Sequence, residues 1–92
     1  MTTLLYTHAA CLAHDPGPGH PESTARLSAI LAALKTPQFA ALQWREAPSA
    51  TVEQLARIHT PNHIELTLAR IPGNGYQAID GDTVVSPRSG DA

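Results

Sequence analysis

The chain contains little of what stabilises small proteins. Its single cysteine excludes an internal disulfide, and its four aromatic side chains supply few large groups for a core. Hydrophobic residues make up 42% of the 92 residues, but fifteen of them are alanine, which buries little area. A domain of this length is marginal without a disulfide, a metal or a partner. The composition therefore predicts a core that is thin for an independent fold.

Long apolar runs and charge runs are also absent. No segment approaches the roughly 20 apolar residues that span a bilayer, and residues 1–8 lack the cationic and apolar regions of a signal peptide. Charges of both signs are scattered and sum to −2, which gives no basic run for nucleic acid. We therefore expect a soluble, cytoplasmic protein that binds neither nucleic acid nor membrane. Cys11 is expected to be a reduced, buried and inert thiol.

The apolar pattern of the first half predicts strand, helix and strand. Residues 2–6 are typical of a buried strand, and residues 42–46 of a second one. Residues 7–20 are expected to form a loop, because their proline and glycine residues cannot continue a regular element. A helix is expected from Pro21, with Glu22 in its first turn, to about Thr36. One face of this helix should be buried by Leu27, Ile30, Leu31 and Leu34.

The second half predicts helices and a short extended piece. Residues 49–58 should be helical, with a capping box between Thr51 and Gln54, and residues 60–70 should form another helix. Residues 76–85 are expected to be a loop with one extended piece, and Ser86 is expected to start a further helix. Alternating strands and helices indicate a parallel α/β sheet, whose strands need neighbours. We therefore expect residues 1–92 to be the N-terminal, incomplete portion of a single domain of a longer protein.

Residues 8–27 concentrate chemically active side chains. Three histidines follow one another at six-residue intervals, with Cys11 between the first two. Cys11 and His14 have a tolerable spacing for zinc ligands, and a neighbouring histidine could act as base for a cysteine nucleophile. The alternative, which the residues alone favour, is that these side chains form hydrogen bonds within a structured loop.

Three other patterns leave alternatives open. Glu22 and Arg26 are four residues apart and can form a surface ion pair, or Arg26 can face a site and bind a carboxylate. Asp80 and Asp82 flank a glycine and are either turn-capping groups or ligands for a substrate donor. Residues 51–70 could form a helix-turn-helix, although they contain few of the cations that contact phosphates. A small DNA-binding module and a free-standing interaction module therefore remain alternative functions.

Five segments together resemble the amino-terminal region of the histone deacetylase superfamily, which includes bacterial deacetylase-like amidohydrolases, acetylpolyamine amidohydrolases and acetoin-utilisation proteins. The first three segments are Tyr6-Thr7-His8, Cys11-x-x-His14 with Gly17-x-Gly19-His20-Pro21-Glu22, and Arg26-Leu27-x-x-Ile30. The other two are Arg57-Ile58-His59-Thr60-Pro61 with His63-Ile64, and Ile79-Asp80-Gly81-Asp82-Thr83 with Ser86-Pro87. The sequence departs from the family pattern at residues 23–25, where a proline is more usual, and at His63, where a tyrosine is common.

The resemblance implies an α/β, arginase-like three-layer fold with a central parallel sheet and helices on both faces. It also implies a zinc-dependent deacetylase that hydrolyses the acetamide of acetyl-lysine or of a small acetylated amine. The metal ligands and catalytic residues of the family lie beyond residue 92, so this chain is expected to contribute neither. It would form the rim of the substrate channel, with Asp82, Asp80 and His20 binding substrate and Arg26 lining an acetate channel. The remainder of the domain is the expected partner, and residues 1–92 alone are expected to be inactive and poorly folded.

Overall fold

A computed structural model describes all residues from 1 to 92 and shows a small α/β unit. None of its helices combines the length and apolarity needed to cross a membrane. A single 3-10 turn, Pro37–Phe39, precedes the second strand. The regular elements are β1 (Leu4–Thr7), α1 (Ala9–Ala13), α2 (Thr24–Leu34), β2 (Gln43–Glu46), α3 (Val52–Leu55), α4 (Pro61–Ala69), β3 (Gln77–Ala78) and β4 (Val84–Val85).

Two separate sheets of two strands each organise the chain. β1 and β2 are parallel, with Leu4 opposite Gln43 and Thr7 opposite Glu46. Parallel strands cannot be joined by a tight turn, and α2 provides the connection between these two. β3 and β4 form an antiparallel hairpin. The expectation of a parallel α/β arrangement is confirmed for this pair of strands.

Local sequence signals located several element boundaries correctly. Both predicted strands form within a residue or two of the expected bounds. The prediction that the first strand is buried is wrong, because β1 alternates between exposed and half-buried residues. Thr51 and Gln54 form the predicted capping box, in which each side chain bonds the backbone N–H of the other residue. α4 begins at Pro61 as predicted, and the Thr60 hydroxyl accepts from the N–H of His63. A helix cap involves residues that are only a few positions apart, so the sequence pattern alone can predict it.

Four predicted boundaries are wrong. The predicted loop contains α1, because the Nδ1 atom of His8 accepts from the backbone N–H of Ala10 and caps a short helix. α2 begins at Thr24 instead of Pro21, since Ser23 is extended. The helix predicted over residues 49–58 is reduced to the four residues of α3. The residues after Ser86 form turns instead of a helix, with the Ser86 N–H bonded to the Ser89 hydroxyl.

The core is as thin as the composition predicts. Only five residues are buried, namely Ala10, Pro16, Ile64, Val85 and Ser86. α2 contains no buried residue, and Ile30 is 51% exposed, so the predicted buried face of this helix is wrong for this chain. The main packing partner of α2 is the short helix α1, whose five residues are too few to cover one face of an eleven-residue helix.

The overall dimensions also indicate that the chain buries little of its surface. The accessible surface is 6860 Å², whereas a compact monomer of this mass exposes about 5100 Å². The radius of gyration is 15.5 Å, against about 12 Å for a compact domain of this length. The molecule is flat, with extents of 42 × 34 × 20 Å. Apolar surface that compact domains of this length bury is open in this chain.

Candidate functional site

The candidate site lies where two segments distant in sequence meet. The histidine loop (residues 8–20) contacts the hairpin segment (residues 76–89) through side-chain hydrogen bonds. Four such bonds join them: Tyr76 Oη to Asp15 Oδ2 at 2.9 Å, His20 Nε2 to the Asp82 carbonyl at 2.9 Å, His14 Nδ1 to Ser89 Oγ at 2.6 Å, and Asp15 N to Ser86 Oγ at 3.2 Å. Two of the five segments quoted above, residues 11–22 and residues 79–87, are therefore brought together.

Two of the three loop histidines have a tautomer fixed by the backbone. His8 Nδ1 accepts from the N–H of Ala10 at 2.9 Å, and His20 Nδ1 accepts from the N–H of Glu22 at 3.1 Å. An acceptor nitrogen carries no proton, so the neutral rings hold their hydrogen on Nε2. The loop is shaped by its histidines in the same way that asparagine and aspartate shape ordinary turns.

The Nε2 atoms of the loop histidines all face oxygen acceptors. His8 Nε2 lies 3.2 Å from a carboxylate oxygen of Glu46, and His14 Nε2 lies 3.9 Å from one of Glu22. With both ring nitrogens of each histidine directed at protein atoms, the loop behaves as the hydrogen-bonded structure that the residues alone favour. No group of three or more potential ligands in the chain could hold a metal ion, and the spacing of Cys11 and His14 does not develop into a zinc site.

The two aspartates of the hairpin segment differ in availability. Asp80 Oδ1 accepts from the N–H of Asp82 at 2.9 Å. That bond and a further bond from Thr83 lower the pKa of the Asp80 carboxyl below its usual value. The Asp82 side chain is exposed and takes part in no hydrogen bond or ion pair. Asp80 thus closes the turn, whereas the Asp82 carboxylate is free to accept from a ligand.

Arg26 faces a cleft of about 440 Å³ between α1, α2 and the chain's last residues. The alternative ion pair with Glu22 does not form, since Glu22 is directed at His14. The Arg26 guanidinium makes no salt bridge or side-chain hydrogen bond in this structure and is available for a carboxylate. Other residues at this cleft include Cys11, His14, Leu27 and Ser89. Cys11 is partly exposed instead of buried.

A second cleft of about 590 Å³ is mainly apolar and lies between the carboxyl end of β2 and α4. His59 and His63 stand on its wall, with their ring centroids 5.1 Å apart. Residues 51–70, which have the helix-turn-helix pattern, form this wall. The first helix of that segment, α3, has only four residues, and the guanidinium of Arg70 donates to the Ala78 carbonyl at 2.9 Å.

Sequence reasoning did not identify the contacts that join the two segments. Asp15 and Tyr76 are 61 residues apart, and His14 and Ser89 are 75 residues apart. No periodicity or local motif connects residues at such distances. The sequence located the histidines and the acidic turn (residues 79–83) as features of separate loops, but it did not pair them.

The link between Asp15 and Tyr76 should depend on pH at both ends of the scale. The pKa of Asp15 is lowered, first by the N–H of Gly17 and then by the Tyr76 hydroxyl, and the pKa of Tyr76 is raised by its bond to Asp15. A lowered carboxyl pKa gives stabilisation that is present above the unfolded value and lost as pH falls below about 4. A raised phenol pKa gives stabilisation that is lost as pH rises above about 10.

Carboxyl NMR titration of Asp15 measures this dependence directly. In the Tyr76→Phe variant, the phenol donor is absent, so the pKa of Asp15 should move upward but remain below its usual value because the Gly17 bond persists. An unchanged Asp15 titration in this variant would contradict the link.

No protein-family model matches this chain. The chain is similar to an uncharacterized protein of Synechocystis sp., with 37% identity over 95 residues. The match covers 99% of this chain and 31% of the relative, so the chain spans about a third of the length of the curated relative that it matches.

Proposed function

We propose that residues 1–92 form the N-terminal portion of a single deacetylase domain of the histone deacetylase type. In this proposal the domain has the arginase-like, three-layer fold, acts in the cytoplasm and hydrolyses the acetamide of acetyl-lysine or of a small acetylated amine. The observation that carries the proposal is the free Asp82 carboxylate on a turn that is held against the histidine loop. Two motifs of the resemblance are therefore joined at a group able to bind substrate.

Asp82 would bind substrate at the channel mouth. Its carboxylate has unused acceptor positions and is exposed. It can accept from the N–H groups of a peptide or from the ammonium groups of a polyamine. Asp82 therefore contributes affinity for either substrate without selecting between them. Asp80 serves the same site by closing the turn that carries Asp82.

Arg26 would bind the acetate product. The cleft beside it is large enough for acetate, and its guanidinium has no protein partner in this structure. A planar guanidinium binds a carboxylate through two parallel hydrogen bonds.

The zinc ion implied by the resemblance does not fit the residues of this chain. The loop histidines direct both ring nitrogens at protein atoms, and no three potential ligands converge. We therefore assign the metal ligands and the catalytic groups to the remainder of the domain. In this proposal Asp82 binds substrate and Arg26 binds product, and neither role requires a direct bond to the zinc ion.

The remainder of the domain is also the partner that the open surfaces require. The accessible area exceeds that of a compact monomer by roughly 1700 Å², which is about twice the roughly 800 Å² that one partner buries in a standard protein–protein interface. The sheet of β1 and β2 has a free edge on each strand, and parallel sheets are normally extended and covered on both faces. Further parallel strands would pair with the free edges, and further helices would cover the open faces of the sheet.

Acetate release by the natural gene product tests the proposal. We expect hydrolysis of an acetyl-lysine peptide or of an acetylated polyamine, loss of activity with a chelator, and recovery with zinc. A polypeptide of residues 1–92 alone should be inactive under the same conditions. Either equal turnover by this short polypeptide or no acetate release from the zinc-loaded natural protein would refute the proposal.

A further inference from the structure

We infer that His20 is a positioning residue that sets the location of the Asp82 carboxylate, an inference that rests on the proposed function. The Nε2 atom of His20 lies 2.9 Å from the backbone carbonyl of Asp82, across 62 residues of sequence. The Nδ1 atom of the same ring accepts from the N–H of Glu22. The ring thus joins the end of the histidine loop to the acidic turn.

The acidic turn is rigid within itself. The N–H of Ile79 bonds to the Thr83 carbonyl at 2.8 Å, and Asp80 accepts from the N–H of Asp82. These bonds hold the turn's shape but connect only neighbouring residues. They do not determine where the turn lies relative to the rest of the site.

The bond that ties the acidic turn to residues outside the hairpin segment comes from His20. With its N–H bonded to Asp80 and its carbonyl bonded to His20, Asp82 has both backbone polar groups fixed while its carboxylate remains free. A carboxylate carried on a fixed backbone needs less reorganisation when substrate binds than one on a mobile turn, which favours affinity. His20 therefore contributes to substrate binding through Asp82.

Engagement of both ring nitrogens distinguishes this role from direct contact. Substrate contact through a ring nitrogen would require breaking the bond to Glu22 or the bond to Asp82. The effect of His20 on substrate affinity should therefore depend on the presence of the Asp82 carboxylate.

Two substitutions separate the functions of the two ring nitrogens. In His20→Gln, the longer amide places an N–H donor near the position of Nε2 and can keep the bond to Asp82. In His20→Asn, the shorter amide oxygen can accept from the N–H of Glu22, as in an Asx turn, but does not reach Asp82. The pair provides a matched control, because each variant retains one bond and loses the other.

Kinetics of the natural protein test the positioning role. We expect His20→Asn to raise KM about tenfold with kcat within about twofold of the wild type, whereas His20→Gln stays within about threefold for both constants. In a background of Asp82→Asn, His20→Asn should raise KM no further, because the affected carboxylate is already gone. Equal damage by both His20 variants, or full additivity with Asp82→Asn, would overturn the inference.

NMR provides a readout that does not depend on activity. With histidine labelled with ¹⁵N, the His20 ring should show a protonated Nε2 and an unprotonated Nδ1. The amide signals of Asp82 and Thr83 should shift in His20→Asn and remain in place in His20→Gln. Unmoved signals in His20→Asn would refute the inference alone, whereas wild-type protein that gives the expected spectra but no deacetylation would refute the proposed function.

Discussion

Under the proposed function, replacing Asp82 with asparagine in the natural protein should lower kcat/KM for acetylated substrates about tenfold to a hundredfold, mostly through KM. The substitution preserves the shape of the side chain and removes its negative charge. Hydrogen bonds to a charged group are roughly twice as strong as neutral ones. The loss should be similar for an acetylated polyamine and for an acetyl-lysine peptide, because the carboxylate can accept from the donors of either.

Asp80→Asn is the matched control for this experiment. An asparagine oxygen at position 80 can still accept from the N–H of Asp82, so the turn should persist and KM should change by less than about threefold. Steady-state kinetics with both substrates measure the two variants side by side. The assignment of Asp82 as the binding group would be wrong if the variants behaved alike, or if only Asp80→Asn impaired the enzyme.

Truncating Ile64 to alanine should destabilise the 92-residue polypeptide by about 2–4 kcal/mol, measured by urea unfolding. Ile64 is 7% exposed and is the largest of the buried side chains. A loss of this size is a large fraction of the free energy of unfolding of any small domain.

Ile58→Ala serves as the control for Ile64→Ala and also as a test for a missing partner. Ile58 is 85% exposed, so truncation in the 92-residue polypeptide should change the free energy of unfolding by less than about 0.5 kcal/mol. If the remainder of the domain covers this residue, the same substitution should cost about 2 kcal/mol or more in the natural protein. An equal effect in both contexts would contradict coverage at Ile58.

The elements that the sequence located correctly depend on neighbouring residues. The capping box of Thr51 and Gln54 and the start of α4 at Pro61 involve partners within three residues, so the pattern alone predicts them. The predicted start of α2 is wrong because Pro21 satisfies the same local rule as Pro61, while Ser23 is held in an extended conformation. Local rules identify possible helix starts, and the surrounding contacts decide among them.

The candidate site was predictable in its components but not in its arrangement. The acidic turn and the histidines were identified as separate groups, and the free carboxylate could not be distinguished from the capping one. That distinction rests on one bond within the turn, from the N–H of Asp82 to Asp80, and on one bond across 62 residues, from His20. The burial pattern of α2 was not predictable either, since burial depends on layers that periodicity does not report.

The two free edges of the parallel strands have a consequence for handling this protein. Each edge presents a row of backbone N–H and C=O groups to any extended segment that approaches. In concentrated solution, the readiest source of such a segment is another molecule of the same polypeptide. Residues 1–92 produced alone should therefore form assemblies whose size increases with protein concentration, through intermolecular strand addition.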